Sequence, residues 1–194
     1  MVIALLFILA RRRGSVAPRP SFNWTDRDMR DFVREVESIG VPAETALLVY
    51  TAETGLDPKA SSGIAWGLPQ MLGATLKTIG WTAKPSDFSA LSVSLQAPWI
   101  AKLLALQARI IGYVPKDPLD LYVANFKPSA AAQRDEILYV KGSDAYAKNY
   151  RLDRKNKGFI SRSDLADRLE IAKQTSIYRQ AIELLDRIRG ASNG

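Results

Sequence analysis

Apolar residues recur at helical spacing along most of this chain, and each run is bracketed by residues that start or stop helices. Thr25 and Asp28 stand in capping-box order ahead of Met29, Phe32, Val33, Val36 and Ile39, and Gly40 supplies a stop. Pro42 suits the first turn of a second helix, which runs through Ala46, Leu47, Leu48, Val49 and Tyr50 towards Glu53, with Gly55 as its C-terminal cap. Leu72 to Ile79 reads as a short helix stopped by Gly80. From Ser92 onward, Leu95, Trp99, Leu103, Leu106 and Ile110 predict the buried face of a helix that Gly112 ends. Asp117 and Pro118 are the N-cap and first residue of another, which carries Leu121, Tyr122 and Asn125. Ser161 and Asp164 repeat the capping-box spacing ahead of one long terminal helix, with apolar positions at Leu165, Leu169, Ile177, Ile182, Leu185 and Ile188. Nowhere does strict alternation last long enough to demand a sheet, so the expected class is mainly α.

At 194 residues, 47% of them apolar, the chain is long enough to bury a substantial core in one folded unit. It contains neither cysteine nor histidine. That removes disulfides, thiol and Ser-His-Asp nucleophiles, His-ligated metals and the usual near-neutral proton carrier. Acid/base work falls to carboxylates, lysines or tyrosines. The net charge of +7 draws the protein towards polyanions, among them nucleic acid, anionic lipid and the acidic bacterial envelope. No zinc pattern, phosphate-binding glycine loop or aromatic RNA-binding signature accompanies the charge, so no specific nucleic-acid partner is expected.

Val2 to Ala10 is an unbroken apolar run followed by Arg11, Arg12 and Arg13. As a helix it would cover about 14 Å, under half the hydrocarbon thickness of a bilayer. With no basic residue before the run and no convincing small-residue cleavage site, it makes a poor signal peptide. Three readings stay open: a docking peptide for an assembly partner, a membrane-inserting tip, or a weak export signal. Docking is favoured, because so exposed an apolar run invites association. Gly14 to Pro20 reads as a linker. The expected division is 1–20 as apolar segment and linker, 21–170 as the main domain, and 171–194 as a C-terminal helix extension.

Glu53 closes an apolar helix and precedes a loop rich in Gly and Ser. The negative end of a helix dipole and partial burial both disfavour its ionised form, as a general acid near neutral pH requires. By position alone it could equally be an exposed glutamate at a helix end. Its neighbourhood changes that. Glu53-Thr54-Gly55-Leu56-Asp57-Pro58-Lys59-Ala60, then Ser62, then Gly67-Leu68-Pro69-Gln70, resembles the signature of the soluble lytic transglycosylases. That signature runs Glu-Ser-Gly-aromatic/aliphatic-x-Pro-x-Ala, a serine, then Gly-Leu-x-Gln. Thr54 replaces its serine, and the segment between Ser62 and Ala65 is shorter than usual.

The resemblance implies a lysozyme-like helical domain with Glu53 as the single catalytic acid/base, cutting the bond between N-acetylmuramic acid and N-acetylglucosamine. Ser62, Gly67 and Gln70 would line the cleft by the same resemblance, although Ser62 also suits a plain loop turn and Trp66 either a sugar platform or a lid on the core. Tyr122-Val-Ala-Asn125-Phe is similar to the family's third motif, in which a tyrosine and an asparagine face the glutamate. Asp135-Glu136-Ile-Leu-Tyr139-Val140 resembles a later one, and adds Tyr139 as a substrate-binding candidate. Asp57 falls at a variable motif position and is not assigned a role.

Asp153 to Asp164 has the outline of an EF-hand loop, with Asp first, Gly158 sixth, Ile160 eighth and Asp164 twelfth. Calcium needs oxygen ligands at the third and fifth positions too, and there the chain has Lys155 and Lys157. The expectation is a retained turn with lysine in place of metal, hence no metal site and no cofactor. The stretch Asn149 to Leu165 also resembles the tail segment of phage tail-associated transglycosylases. Together these readings imply a phage-type, virion- or tail-borne peptidoglycan lytic transglycosylase acting on glycan strands in the bacterial envelope. Residues 1–13 would dock on tail proteins, with membrane contact as a further option. Alternatives are an exported periplasmic enzyme, a hydrolytic muramidase, and a structural particle protein that keeps the fold with little activity.

Overall fold

The computed structural model describes residues 22–191, and the apolar N-terminal run, with its docking, membrane and export readings, lies outside them. The described chain is mainly helical and ends in a long helix. Its elements are α1 (Asp26–Ser38), α2 (Ala43–Thr54), a hairpin of β1 (Ala65–Trp66) and β2 (Met71–Leu72), α3 (Gly73–Thr78), α4 (Pro85–Phe88), α5 (Val93–Ile111), α6 (Pro118–Phe126) and α7 (Pro128–Gln133). There follow β3 (Ile137–Val140), α8 (Asp144–Asn149), a 3-10 turn at Tyr150–Leu152, β4 (Phe159–Ser161), α9 (Arg162–Lys173) and α10 (Ser176–Gly190). The two antiparallel pairs, β1 with β2 and β3 with β4, are the only named sheets among the described residues. Such short strands leave no alternation to read. No described helix is long and apolar enough to cross a membrane.

The helix starts follow their caps. Thr25 Oγ1 accepts from the Asp28 amide at 3.1 Å while Asp28 accepts from the Thr25 amide at 3.1 Å. Such a cap is worth about 1 kcal/mol. The other Asp28 oxygen takes the amide and hydroxyl of Ser94 at 3.1 and 2.9 Å, which fastens α1 to the first turn of α5. Asp117 caps α6 and Ser161 with Asp164 caps α9.

Helix α2 lies at the centre of the core. Its apolar residues face all directions, and such a helix must be covered on every side. Here α1, α6, α9 and α10 do so, and residues Ala43 to Thr51 are buried apart from Glu44. Because α2 is central, whatever ends it is held by the whole fold.

Three expectations need correction. Pro42 is the N-cap of α2 rather than its first residue. Leu103 and Leu106 are buried in α5 as expected, but the rest of its buried face is made by Val93, Gln96, Ala97, Ile100, Ala101, Leu104, Gln107 and Ile111, while Leu95 and Ile110 are exposed at 59% and 41%. An apolar helix offers more than one apolar stripe, and spacing alone does not choose between them. The terminal segment is two helices, because the Thr175 hydroxyl accepts from the Tyr178 amide at 3.2 Å and begins α10 anew. Helix α10 buries Ile177, Ala181, Leu184, Leu185 and Ile188 against the same core, and Arg187 and Arg189 tie it to Asp26, Glu37 and Glu44.

Candidate active site

Glu53 sits in the last turn of α2, half-buried, where the helix meets the loop 55–70. The helix stops at once because Gly55 takes a left-handed conformation, φ 64° and ψ 33°, and donates to the Thr51 carbonyl at 3.0 Å. Leu56 follows with its amide on the Tyr50 carbonyl and its carbonyl accepting from the Trp24 indole at 2.9 Å. The Thr54 hydroxyl lies 3.1 Å from both the Tyr50 and Leu68 carbonyls, bridging the helix to the far side of the loop. Thr54 therefore supplies a hydroxyl where the loop is fastened.

Three side chains are electrostatically linked to the Glu53 carboxyl. Tyr122, from the middle of α6, is buried and its hydroxyl stands within hydrogen-bonding reach of Glu53 and of Arg168. Arg168, from α9, donates through Nε to the Ala52 carbonyl at 2.9 Å and bonds the same oxygen through a second nitrogen. That carbonyl belongs to the last turn of α2, where helical acceptors lack intrahelical partners. Tyr50, one turn back in α2, is fully buried, with a hydroxyl that has no partner and feels the Glu53 charge.

Burial pushes the Glu53 carboxyl above the ordinary glutamate range, and the Arg168 charge and the Tyr122 hydroxyl pull back against it. Burial, and then the Glu53 charge, raises the Tyr122 phenol well above its usual value, so it remains a proton donor in hydrogen bonding. The carboxyl thus has one influence favouring the acid and two that support the carboxylate. A group that gives up a proton and takes one back needs both.

Other sequence candidates fall into different roles. Gly67, φ 74°, is needed for space as well as conformation: a Cβ there would lie 2.6 Å from Phe88 Cδ1 and 2.8 Å from Gln96 Oε1. The Gln70 amide donates to the Ala60 and Gly67 carbonyls at 3.2 and 3.0 Å, so its nitrogen holds the loop rather than facing outward. The Ser62 hydroxyl accepts from the Ala65 amide at 3.2 Å, which makes it a turn serine. Trp66 is half-buried against the core. The Asp57 carboxylate accepts from the Lys59 amide at 2.9 Å in a local turn.

Asn125 does not join the cleft. It is fully buried, and its Oδ1 accepts from Gln107 of α5 at 2.5 Å. The helix that presents Tyr122 to Glu53 turns Asn125, three residues on, into the core. Tyr139 is anchored too: its hydroxyl donates to the Phe126 carbonyl at 3.0 Å and its ring packs on Phe126. Burial pushes its phenol up to about 12.

Sequence reasoning missed Gln96, Tyr50 and Arg168. Gln96 is fully buried and organises the loop: Oε1 accepts from the Leu68 amide at 2.9 Å, and Nε2 lies 2.8, 3.2 and 3.2 Å from the carbonyls of Pro58, Phe88 and Leu91. A lone glutamine between Val93, Ala97 and Ile100 was the available signal. Arg168 had none, since 115 positions separate it from Glu53.

The EF-hand-like loop is built around an ammonium. Lys157 Nζ bonds both Asp164 oxygens, at 3.0 and 2.8 Å, and the Ser161 hydroxyl at 3.1 Å. Asp153 accepts from the Lys157 and Gly158 amides at 2.8 and 2.7 Å and from the Tyr146 hydroxyl at 2.8 Å. Burial alone would raise both carboxyls, but these hydrogen bonds and the lysine charge hold them below the ordinary range. The fifth-position side chain is a cation that faces the twelfth-position carboxylate.

No family model matches the chain, and no curated protein or solved structure is significantly similar to it.

Proposed function

We propose that this protein is a lysozyme-like peptidoglycan lytic transglycosylase with Glu53 as its acid/base. The observation that carries the reading is the Glu53 carboxyl itself. It lies at the end of a fully packed helix, with its acid form favoured by burial and its carboxylate form supported by Arg168 and Tyr122. It also opens the stretch Glu53 to Gln70, whose loop the structure fastens at Thr54, Gly67, Gln70 and Gln96.

In this reading Glu53 first donates its proton to the glycosidic oxygen between N-acetylmuramic acid and N-acetylglucosamine, and the bond breaks as positive charge builds on the sugar ring. The resulting carboxylate, held by Tyr122 and Arg168, then accepts the proton of the muramoyl 6-hydroxyl as that oxygen closes a 1,6-anhydro ring. One proton is given and one regained, and no water is consumed. Arg168 and Tyr122 act by holding the carboxylate between the two steps. The charges that act on Glu53 and Tyr122 come from each other and from Arg168, with no second carboxylate among them. The virion or tail setting, with residues 1–13 as docking segment, belongs to the same proposal and rests on the sequence resemblance.

Mass spectrometry of products released from purified peptidoglycan tests the reaction type. Anhydro-muropeptides are the expected result. Reducing muropeptides would replace the lyase with a muramidase, and intact glycan treated with folded protein would leave the structural-protein reading ahead.

A further inference from the structure

A cavity of about 440 Å³ opens between the end of α2 and α9, lined by Arg151, Arg154 and Arg168 together with Thr51, Leu152 and Ile171. Its lining includes Ala52, the residue before Glu53, and Arg168, the residue whose charge acts on the Glu53 carboxyl. The cavity is therefore next door to the proposed site and shares a wall with it.

Only the Arg168 charge is answered, by the Glu53 carboxyl. Arg162, Arg187 and Arg189 each reach a carboxylate elsewhere in the molecule. Among the described residues neither Arg151 nor Arg154 forms an ion pair. The one acid in the lining, Asp164, is already occupied by Lys157. Arg168 spends its Nε and one further nitrogen on the Ala52 carbonyl and is in reach of the Tyr122 hydroxyl, whereas Arg151 lies against the Tyr150 ring and hydroxyl and Arg154 is exposed, so these two carry the free donors. Planar guanidinium groups with free N–H donors match carboxylates in paired hydrogen bonds. Leu152, Ile171 and Ala172 supply an apolar floor on which the aliphatic part of a ligand can rest.

We infer that this cavity is a subsite for the carboxylate of a wall stem peptide, holding the peptide carried by the muramoyl sugar while Glu53 acts on the neighbouring glycosidic bond. The identity of the ligand rests on the wall-cleaving reading; the anion-binding character of the cavity rests on Arg151 and Arg154. The subsite would make peptide-bearing strands better substrates than bare glycan.

The test is a calorimetric titration of the full chain with a synthetic stem tripeptide, L-Ala-γ-D-Glu-L-Lys, at moderate ionic strength. The comparison is a double variant, Arg151→Ala with Arg154→Ala; both side chains are exposed, so the fold is retained. Binding by the wild type, weakened about 30-fold or more in the double variant and in a peptide with amidated carboxyls, is expected. No binding by the wild type, or equal binding by the variant, overturns the subsite. Displacement of the peptide by an equal concentration of inorganic phosphate makes the cavity a general anion site and overturns the peptide assignment. In parallel, the wild type is given intact peptidoglycan and the same glycan stripped of peptide. Cleavage of both at equal rates, with no tripeptide binding, removes the subsite and leaves the transglycosylase standing. Peptide binding without cleavage of either substrate removes the transglycosylase and leaves the subsite.

Discussion

Replacing Gln96 by methionine keeps the length and volume of the side chain and removes only its amide. In the wild type that amide closes four contacts across the base of the loop, two of them fully buried: the Leu68 N–H on Oε1 and the Phe88 carbonyl on Nε2. A buried polar group left without a partner costs about 1–3 kcal/mol, so these two together cost about 2–6 kcal/mol. The Pro58 and Leu91 carbonyls are partly buried and recover some of their hydration. The thioether returns roughly 1 kcal/mol through added apolar burial. The net loss should be about 3 kcal/mol, which for a chain of this size lowers Tm by about 6–12 °C. Urea denaturation followed by circular dichroism measures it, with Leu95→Met on the exposed face of the same helix as control; that change should stay within about 0.5 kcal/mol. Gln96→Glu should be worse than Gln96→Met, since a carboxylate can accept from Leu68 but must then face three carbonyls. A loss below about 1 kcal/mol for Gln96→Met would refute the reasoning, because the loop would then be held without the amide.

Further expectations follow from the same geometry. Glu53 has a folded-state pKa raised by burial, so the wild type loses stability as pH rises through that value. Glu53→Gln is therefore more stable than wild type at pH 7, with the advantage vanishing below the ordinary glutamate range; thermal melts from pH 4 to 8 that run parallel would contradict this. Gly67→Ala combines a positive φ, roughly 1–2 kcal/mol, with overpacking against Phe88 and Gln96 of about 1–3 kcal/mol. Gly80→Ala, with open space around it, shows only the backbone part, and equal losses in the two variants would contradict the close approach. Lys157→Met leaves Asp164 without its cation and costs about 1–3 kcal/mol, less than a fully buried pair because the lysine side chain is 23% exposed. Calcium added to the wild type should give no heat of binding, whereas tight binding would mean that the ammonium is displaced.

Helix starts were legible because their signals are local. Thr25 with Asp28, Asp117 with Pro118, and Ser161 with Asp164 each place donor and acceptor within one turn, and each caps a helix where expected. Gly55 likewise ended α2 as its left-handed conformation demands. The buried face of α5 was legible only at Leu103 and Leu106, since an apolar helix is oriented by its neighbours and not by its own spacing. The break at Thr175 was hidden because apolar residues continue at helical spacing on both sides of it. Glu53 and Tyr122 come together, whereas Asn125 and Tyr139 are spent on packing and anchoring. Arg168 and Tyr50 could not be picked out beforehand. Their importance arises only when α2, α6 and α9 pack around one carboxyl, and no property of the segments themselves announces it.

Dye release from labelled, purified peptidoglycan by the wild type and by Glu53→Gln, both confirmed as folded by circular dichroism, tests the central claim most directly. Steady release by the wild type and a loss of at least about a thousandfold in the variant is the predicted result, since the variant can neither give nor accept the proton on which both steps depend. Equal release by the two proteins would contradict the assignment of Glu53.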